Sequence, residues 1–144
     1  MAASTNPIFS RLGDVSTNTT TGMSQLVTAA AADYTGISAN YALVFTADAT
    51  NGSYIERLRF KAGGTNVAAV ARIFINNGST PGTAANNAFH GEVSLPATTA
   101  ITTAATIDVD YPLGFAINPG FKIYWGLGAA VAAGWVCSAI GGPY

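Results

Sequence analysis

Charged and chemically reactive side chains are scarce in this sequence. Its 144 residues include 6 Lys and Arg, 7 Asp and Glu, 1 His and 1 Cys. A single cysteine cannot form an intrachain disulfide or a cysteine zinc site, and a single histidine cannot supply a multi-histidine metal site. Nucleic-acid binding needs clustered Lys and Arg, whereas this chain has a net charge of -1. We therefore expect no metal, no disulfide and no nucleic-acid partner.

The sequence also offers little for export or membrane insertion. The first ten residues lack a basic segment followed by an apolar run, so we expect no secretory signal. Residues 123–142 carry no charge and are long enough to span a bilayer as a helix. That stretch is interrupted by glycines, namely Gly126, Gly128, Gly134, Gly141 and Gly142. We therefore predict two strands joined by a small-residue loop there, and no membrane partner.

Apolar and small residues make up most of the chain, with 49% hydrophobic residues and 16 glycines. The length suits one domain that buries roughly two thirds of its unfolded surface. Residues 1–40 are rich in Thr, Ser, Asn and Ala, and we predict an extended N-terminal arm that packs onto a neighbour or onto its own domain. Residues 41–144 are predicted to form the folded domain.

Short apolar runs separated by turn residues characterise the chain after residue 40. This pattern predicts an all-β fold, an antiparallel β sandwich and most specifically a jelly roll. An immunoglobulin-like sandwich is the alternative, although its paired cysteines cannot occur here. The predicted strands cover residues 41–47, 53–61, 67–75, 89–95, 107–111, 115–117, 121–125 and 134–140.

Two local signals sharpen this strand prediction. Asn51-Gly52 lies between the first two runs and is typical of a two-residue hairpin turn. In the second run, Leu58 and Phe60 alternate with basic residues, so one face of that strand should be buried and the other solvated.

Candidate catalytic groups exist, but no motif accompanies them. Asp108 and Asp110 lie two residues apart on one predicted strand, so their carboxylates should share a solvent-facing side roughly 7 Å apart. His90 and Cys137 could in principle form a base and nucleophile pair, yet neither lies in a known catalytic motif. Cys137 shares an apolar face with Trp135, and we predict a buried thiol. We expect no enzymatic activity, no catalytic residues and no cofactor.

A basic row, defined as Arg57, Arg59 and Lys61, contains half of the basic residues of the chain on one strand face. It could dock onto an acidic partner, because the guanidinium group binds carboxylates through two parallel hydrogen bonds. Alternatively, it is the solvated face of a strand or a guard against edge pairing. Both interpretations stay open at this point.

Three segments resemble small proteins encoded among the structural genes of tailed bacteriophages. They are NGSYIERLRFKAGGTN at residues 51–66, ARIFINNG at 71–78 and GWVCSAIGGPY at 134–144. The resemblance covers about residues 41–144 and brings no catalytic motif with it. It implies a small β-rich virion component, such as a capsid decoration or cement protein.

From these observations we expect a virion structural protein that binds the capsid surface and stabilises it through oligomeric contacts. Its expected partners are further copies of itself, as a homotrimer, and the major capsid protein or other virion proteins. We expect assembly in the host cytoplasm and residence in the virion. The predicted interface residues are Ile8, Phe9, Arg57, Arg59, Lys61, Trp135 and Tyr144.

Two alternatives to this function stay open. One is a neck, tail or fibre component of the same particle. The other is a carbohydrate-binding β-sandwich module, which would display exposed, coplanar aromatic side chains such as Tyr111, Tyr124 or Trp125.

Overall fold

The computed structural model describes Arg11–Leu12, Ser24 and residues 26–143. Within these residues the chain forms eight β-strands and one short 3-10 turn, Ala84–Asn86, and no α-helix. The strands are β1 (Arg11–Leu12), β2 (Ala42–Thr46), β3 (Ser53–Ala62), β4 (Ala69–Asn76), β5 (Asn87–Leu95), β6 (Asp108–Ile117), β7 (Lys122–Leu127) and β8 (Trp135–Pro143).

The strands form two antiparallel sheets, which we call sheet I and sheet II. Sheet I has the order β1-β8-β3-β6, and sheet II has the order β2-β7-β4-β5. The first strand pairs with the last, the second with the seventh, the third with the sixth and the fourth with the fifth. In addition, β3 pairs with β8 within sheet I, and β4 pairs with β7 within sheet II, so the four strand pairs form two four-stranded sheets. The predicted antiparallel β sandwich is confirmed.

The two sheets enclose one apolar core, as the period-two alternation predicts. Leu58 and Phe60 of β3 are fully buried, and the Phe60 ring meets the Trp125 ring of β7 at a centroid distance of 5.2 Å. Cys137 and Trp135 of β8 are buried on the same side. The predictions of a buried face on β3 and of a buried thiol at Cys137 are confirmed.

The hairpin predicted at Asn51-Gly52 is wrong. A turn does occur there, and Gly52 adopts a φ of +76°, which only glycine tolerates well. However, β2 pairs with β7 while β3 pairs with β6 and β8, so this turn carries the chain from one sheet to the other. The carboxylate of Asp48 holds the turn by accepting hydrogen bonds from the backbone N–H groups of Thr50 and Asn51.

Strand β6 is longer than predicted, because it continues through Pro112 and joins two predicted runs. Proline lacks a backbone N–H and is therefore tolerated mainly in edge strands. β6 lies at the edge of sheet I, with β3 as its neighbour on one side, so the missing donor need not interrupt the sheet. The uncharged stretch at residues 123–142 falls on β7, β8 and their connection, as predicted. Among the described residues, no helix is long and apolar enough to cross a membrane.

The described part of the predicted arm packs onto its own domain. The Ser24 N–H donates to the Cys137 carbonyl, the Ser24 hydroxyl accepts a hydrogen bond from the Cys137 N–H, and Val27 forms an antiparallel bridge with Trp135. The chain then crosses to sheet II, where Ala30 bridges Leu127. Residues 31–41 cover the outer face of that sheet. A small apolar cluster forms there from Ala31, Tyr41, Phe74 and Tyr124.

Phe60 and Phe89 offer a matched pair of phenylalanines for testing the core. Phe60→Ala removes a fully buried ring between the sheets, so we expect the free energy of unfolding to fall by about 3–5 kcal/mol. Phe89→Ala removes a ring that is 43% exposed and stacks on Tyr34 and Phe74, so the loss should stay near 1 kcal/mol. Urea unfolding measures both values. Equal losses would contradict a core centred between the two sheets.

Candidate interaction surfaces

The basic row lies against carboxylates of the neighbouring strand β6. Arg59 binds Asp108, and the Nζ atom of Lys61 lies 3.0 Å from the Oδ1 atom of Asp108. Arg57 lies 3.8 Å from Asp110 and also forms an ion pair with Glu56. The register places Lys61 directly opposite Asp108 and Arg59 opposite Asp110, so Arg59 reaches Asp108 and Arg57 reaches Asp110 diagonally across the two strands.

These contacts neutralise the basic row within the chain. Three cations face three carboxylates, so the patch as a whole has no net charge. The Arg59 guanidinium and the Lys61 ammonium donate hydrogen bonds to Asp108 and hold the pKa of that carboxyl below its usual range. Carboxylates that pair with this row are therefore present on the adjacent strand of the same chain, and docking of the row onto another protein stays a prediction.

His90 lies where the free edges of the two sheets come together. The strand pairing of β4 and β5 is irregular at this position, and the imidazole stacks against rings of β6. Its ring centroid lies 6.1 Å from that of Tyr111 and 5.3 Å from that of Phe115. These ring contacts join the edge strand of sheet II to the edge strand of sheet I.

Three carboxylates on β5 and β6, the strands that meet at His90, form ion pairs with basic side chains. Asp108 and Asp110 bind the basic row, while Glu92 lies 3.5 Å from the guanidinium of Arg72 on the outer face of sheet II. The Cys137 thiol is fully buried, and burial raises its pKa well above the usual value. Within the described ranges, no group of three or more His, Cys, Asp and Glu side chains could hold a metal ion.

The aromatic residues proposed for a carbohydrate platform do not lie on one surface. Trp125 is fully buried between the sheets, and the Tyr111 hydroxyl approaches the backbone of Gly91 across the sheet edges. Tyr124 is half-buried on the outer face of sheet II, where it lines a groove of about 500 Å³ together with Asn40 and Leu43. These three side chains therefore face three different environments.

The remaining predicted interface residues divide into two groups. Trp135 has 0% exposure, because it occupies the start of β8 between Val27 and Ala62, and its ring packs the core in place of the expected surface contact. Ile8, Phe9 and Tyr144 lie outside the described residues.

At one end of the sandwich, three loops connect strands of opposite sheets, and none of the three carries an ionisable side chain. These loops are residues 63–68 between β3 and β4, residues 96–107 between β5 and β6, and residues 128–134 between β7 and β8. None of them contains Asp, Glu, Lys, Arg or His. We call this surface the charge-free end.

Asn66 joins these three loops. Its side-chain oxygen accepts hydrogen bonds from the N–H groups of Ala133 and Gly134 at 2.8 and 2.9 Å, and its amide nitrogen donates to the Gly134 carbonyl at 3.0 Å. Its backbone exchanges two hydrogen bonds with Thr98. Asn66 and Thr98 are both buried, so the polar groups that hold the loops are shielded from water.

Close approach of the loops also depends on a glycine. A side chain at Gly63 would meet the Ala133 carbonyl oxygen at 2.6 Å, so the β3–β4 loop can lie this close to the β7–β8 loop only without one. The sequence pattern predicts these segments only as turns and connections between strands. The signal that could have identified them was the absence of charge in three separate connections between strands.

Comparisons of the chain with known protein families, with curated proteins and with solved structures found no match.

Replacing Arg59 tests the ion pairs of the basic row. The lowered pKa of Asp108 means that its carboxylate stabilises the fold above its unfolded pKa, and that this contribution is lost as the pH falls through the folded value. Arg59→Gln should raise the pKa of Asp108 towards its usual value, so that the loss of stability on acidification begins at a higher pH. An NMR titration of the Asp108 side-chain carboxyl carbon measures this pKa. An unchanged Asp108 midpoint would contradict the pairing, and Asp48, which the Asn51 and Thr50 backbone N–H groups hold, serves as the control.

Removing the Asn66 carboxamide tests the connection between the loops. Asn66→Ala leaves the Ala133 and Gly134 N–H groups without their acceptor, so we expect a loss of about 1–3 kcal/mol in unfolding free energy. Asn51→Ala, at an exposed turn position, should change stability little. Chemical denaturation measures both variants. A similar small effect in both would show that the Asn66 hydrogen bonds contribute nothing to holding this end.

Proposed function

We propose that this protein is a structural component of a tailed-bacteriophage particle, a capsid decoration protein that binds the capsid surface and stabilises it. In this role it forms a homotrimer and contacts the major capsid protein or another virion protein. It assembles in the host cytoplasm and resides in the virion. The resemblance of residues 51–66, 71–78 and 134–144 to small phage structural proteins led to this proposal.

The order in which the strands pair supports the finer fold assignment, a jelly roll. A jelly roll arises when a long antiparallel ribbon of eight strands wraps into two sheets, so that the first strand pairs with the eighth and each inner pair follows in turn. The pairings of β1 with β8, β2 with β7, β3 with β6 and β4 with β5 follow this scheme. Jelly rolls occur in viral capsid domains and also in lectins and cupins, so the fold alone does not select among them.

The charge-free end is the observation that carries the proposal of a structural role. Large exposed apolar patches are typical of sites of protein association, membrane contact or ligand binding. Val67, Ile101 and Ile107 are all at least half exposed there, on loops that buried hydrogen bonds hold in place. A coat component needs such a surface, together with a durable fold.

Ion pairing within the chain adds a second line of support. The basic row and its carboxylates form a neutral patch, and Arg72 pairs with Glu92 on the opposite sheet. Closely packed copies would therefore bring few unpaired charges into contact, and burying unpaired charge at an interface is costly.

Locating the chain in purified particles tests this function. Particles from the genome that encodes the chain should retain it at high copy number through a high-salt wash, and cryo-electron microscopy should place a β sandwich at repeated sites on the outer shell. Particles that lack the chain should lose heat resistance and regain it when the purified protein is added. Density in the neck, tail or fibre would assign one of the alternative positions. Absence of the chain from washed particles would contradict the proposal.

A further inference from the structure

A segment without regular secondary structure crosses the outer face of sheet II before β2 begins. We call residues 32–40 the strap, and none of them belongs to a strand or to a β-bridge. Gly36 is the only buried residue of the strap, while Tyr34 and Ile37 are 55 and 47% exposed. A segment that buries so little apolar surface contributes few of the contacts that keep a fold closed.

The two ends of the strap are fixed to the domain, whereas its middle is not fixed through the backbone. The Ala31 N–H donates to the Leu127 carbonyl at 2.6 Å, and the Tyr41 ring packs on Phe74 at a centroid distance of 4.8 Å. Between these points, within the described ranges, no backbone–backbone hydrogen bond joins the strap to a strand. The strap can therefore lift while both of its ends stay attached.

Side chains of sheet II hold the strap in place. The Arg72 guanidinium of β4 lies 4.1 Å from the centre of the Tyr34 ring and donates to the Tyr34 hydroxyl at 3.1 Å. The side-chain nitrogen of Asn87 lies 3.2 Å from the carbonyl oxygens of both Thr35 and Gly36. Contacts of this kind are individually weak, and breaking them leaves the pairing of the strands intact.

The charged groups at this contact keep partners when the strap lifts. Arg72 also forms an ion pair with Glu92, which stands opposite it on the neighbouring strand of the same sheet. The Asp33 carboxylate accepts hydrogen bonds from the N–H groups of Gly36 and Ile37, which lie within the strap. Opening therefore leaves no buried charge without a partner, and the cost of such a charge is avoided.

An aromatic side chain lies directly beneath the strap. Phe74 is 1% exposed, and a side-chain carbon at Gly36 would lie only 2.9 Å from its ring. Phe74 belongs to the small cluster with Ala31, Tyr41 and Tyr124, which is separate from the core between the two sheets. Lifting the strap would thus expose this outer cluster and leave the main core closed.

We propose that the strap opens and closes as a unit while both sheets stay folded, that Arg72 is its latch, and that opening uncovers an aromatic surface at Phe74. Segments with few buried apolar contacts open at free energies well below that of global unfolding. This conformational device lies on the outer face of sheet II and does not depend on the proposed role in a particle.

Amide hydrogen exchange, followed by NMR, tests this proposal. The Gly36 N–H reports on the strap, because it is buried and donates to the Asp33 carboxylate at 2.7 Å. The Leu58 N–H reports on global unfolding, because β3 lies between β8 and β6 in sheet I. Arg72→Gln removes the latch, and Arg59→Gln is the matched control, an arginine paired with a carboxylate on the other sheet. Ile55→Val weakens the main core, where Ile55 is fully buried.

We expect the protection factor of Gly36 to be at least about a hundred-fold below that of Leu58 and to depend less on urea, because opening exposes little surface. Arg72→Gln should speed exchange at Gly36 by about ten-fold. Ile55→Val should speed exchange at Leu58 by about five-fold and leave Gly36 unchanged, since the core contacts persist when the strap is open. Arg59→Gln should also leave Gly36 unchanged.

Hydroxyl-radical footprinting tests what opening uncovers. Arg72→Gln should increase the oxidation of Phe74 relative to Phe60, which is fully buried between the sheets. Tyr34→Ala removes the same contact from the exposed side, so it provides a second variant if Arg72→Gln does not fold. Circular dichroism verifies the fold of each variant.

Four outcomes would overturn the inference. If Gly36 and Leu58 have equal protection factors and Ile55→Val speeds both equally, the strap opens only when the whole domain unfolds. If Gly36 is unprotected in the wild-type chain, the strap is not closed. If neither Arg72→Gln nor Tyr34→Ala speeds exchange at Gly36, Arg72 is not the latch. If exchange speeds up without greater oxidation of Phe74, opening does not uncover the aromatic surface.

Discussion

The contact between the two sheets is the interaction on which the rest of this structure depends. Most consecutive strands lie in opposite sheets, so neither sheet can form from a single continuous stretch of chain. Burial of Phe60 against Trp125, and of Trp135 beneath the segment at Val27, brings these distant strands together. The removal of this apolar surface from water is the main favourable contribution to such a fold.

Once the sheets are paired, four cations, Arg57, Arg59, Lys61 and Arg72, form ion pairs with carboxylates of the same chain. The register of β3 and β6 sets the basic row opposite Asp108 and Asp110, and β4 and β5 set Arg72 opposite Glu92. The three loops at the charge-free end contain no ionisable residue. The described surface thus has ion pairs on the outer faces of both sheets and three uncharged loops at one end, and this division links the fold to the proposed role in assembly.

Particular residues show which features of the fold the sequence patterns predicted and which they did not. Alternation predicted correctly that Leu58 and Phe60 are buried and that Cys137 faces the core, because a strand places every second side chain on the same side. It failed at Asn51-Gly52, where the turn is real but joins different sheets, and at Pro112, where an edge position lets the strand continue. Trp135 was expected at an interface, although its alternation with Cys137 already placed it on the apolar face of its strand; only the pairing with Val27 and Ala62, which are distant in sequence, encloses it. Asn66 was not singled out, since its partners Ala133 and Gly134 lie far away in sequence.

The sequence by itself determined the fold class and the scarcity of charge, because hydrophobic periodicity and composition are properties of the chain before it folds. Only the tertiary structure decided which strands pair, that the basic row meets carboxylates of its own chain, and that three uncharged loops share one end. Those facts depend on contacts between residues distant in sequence, and the order and register of the strands create these contacts.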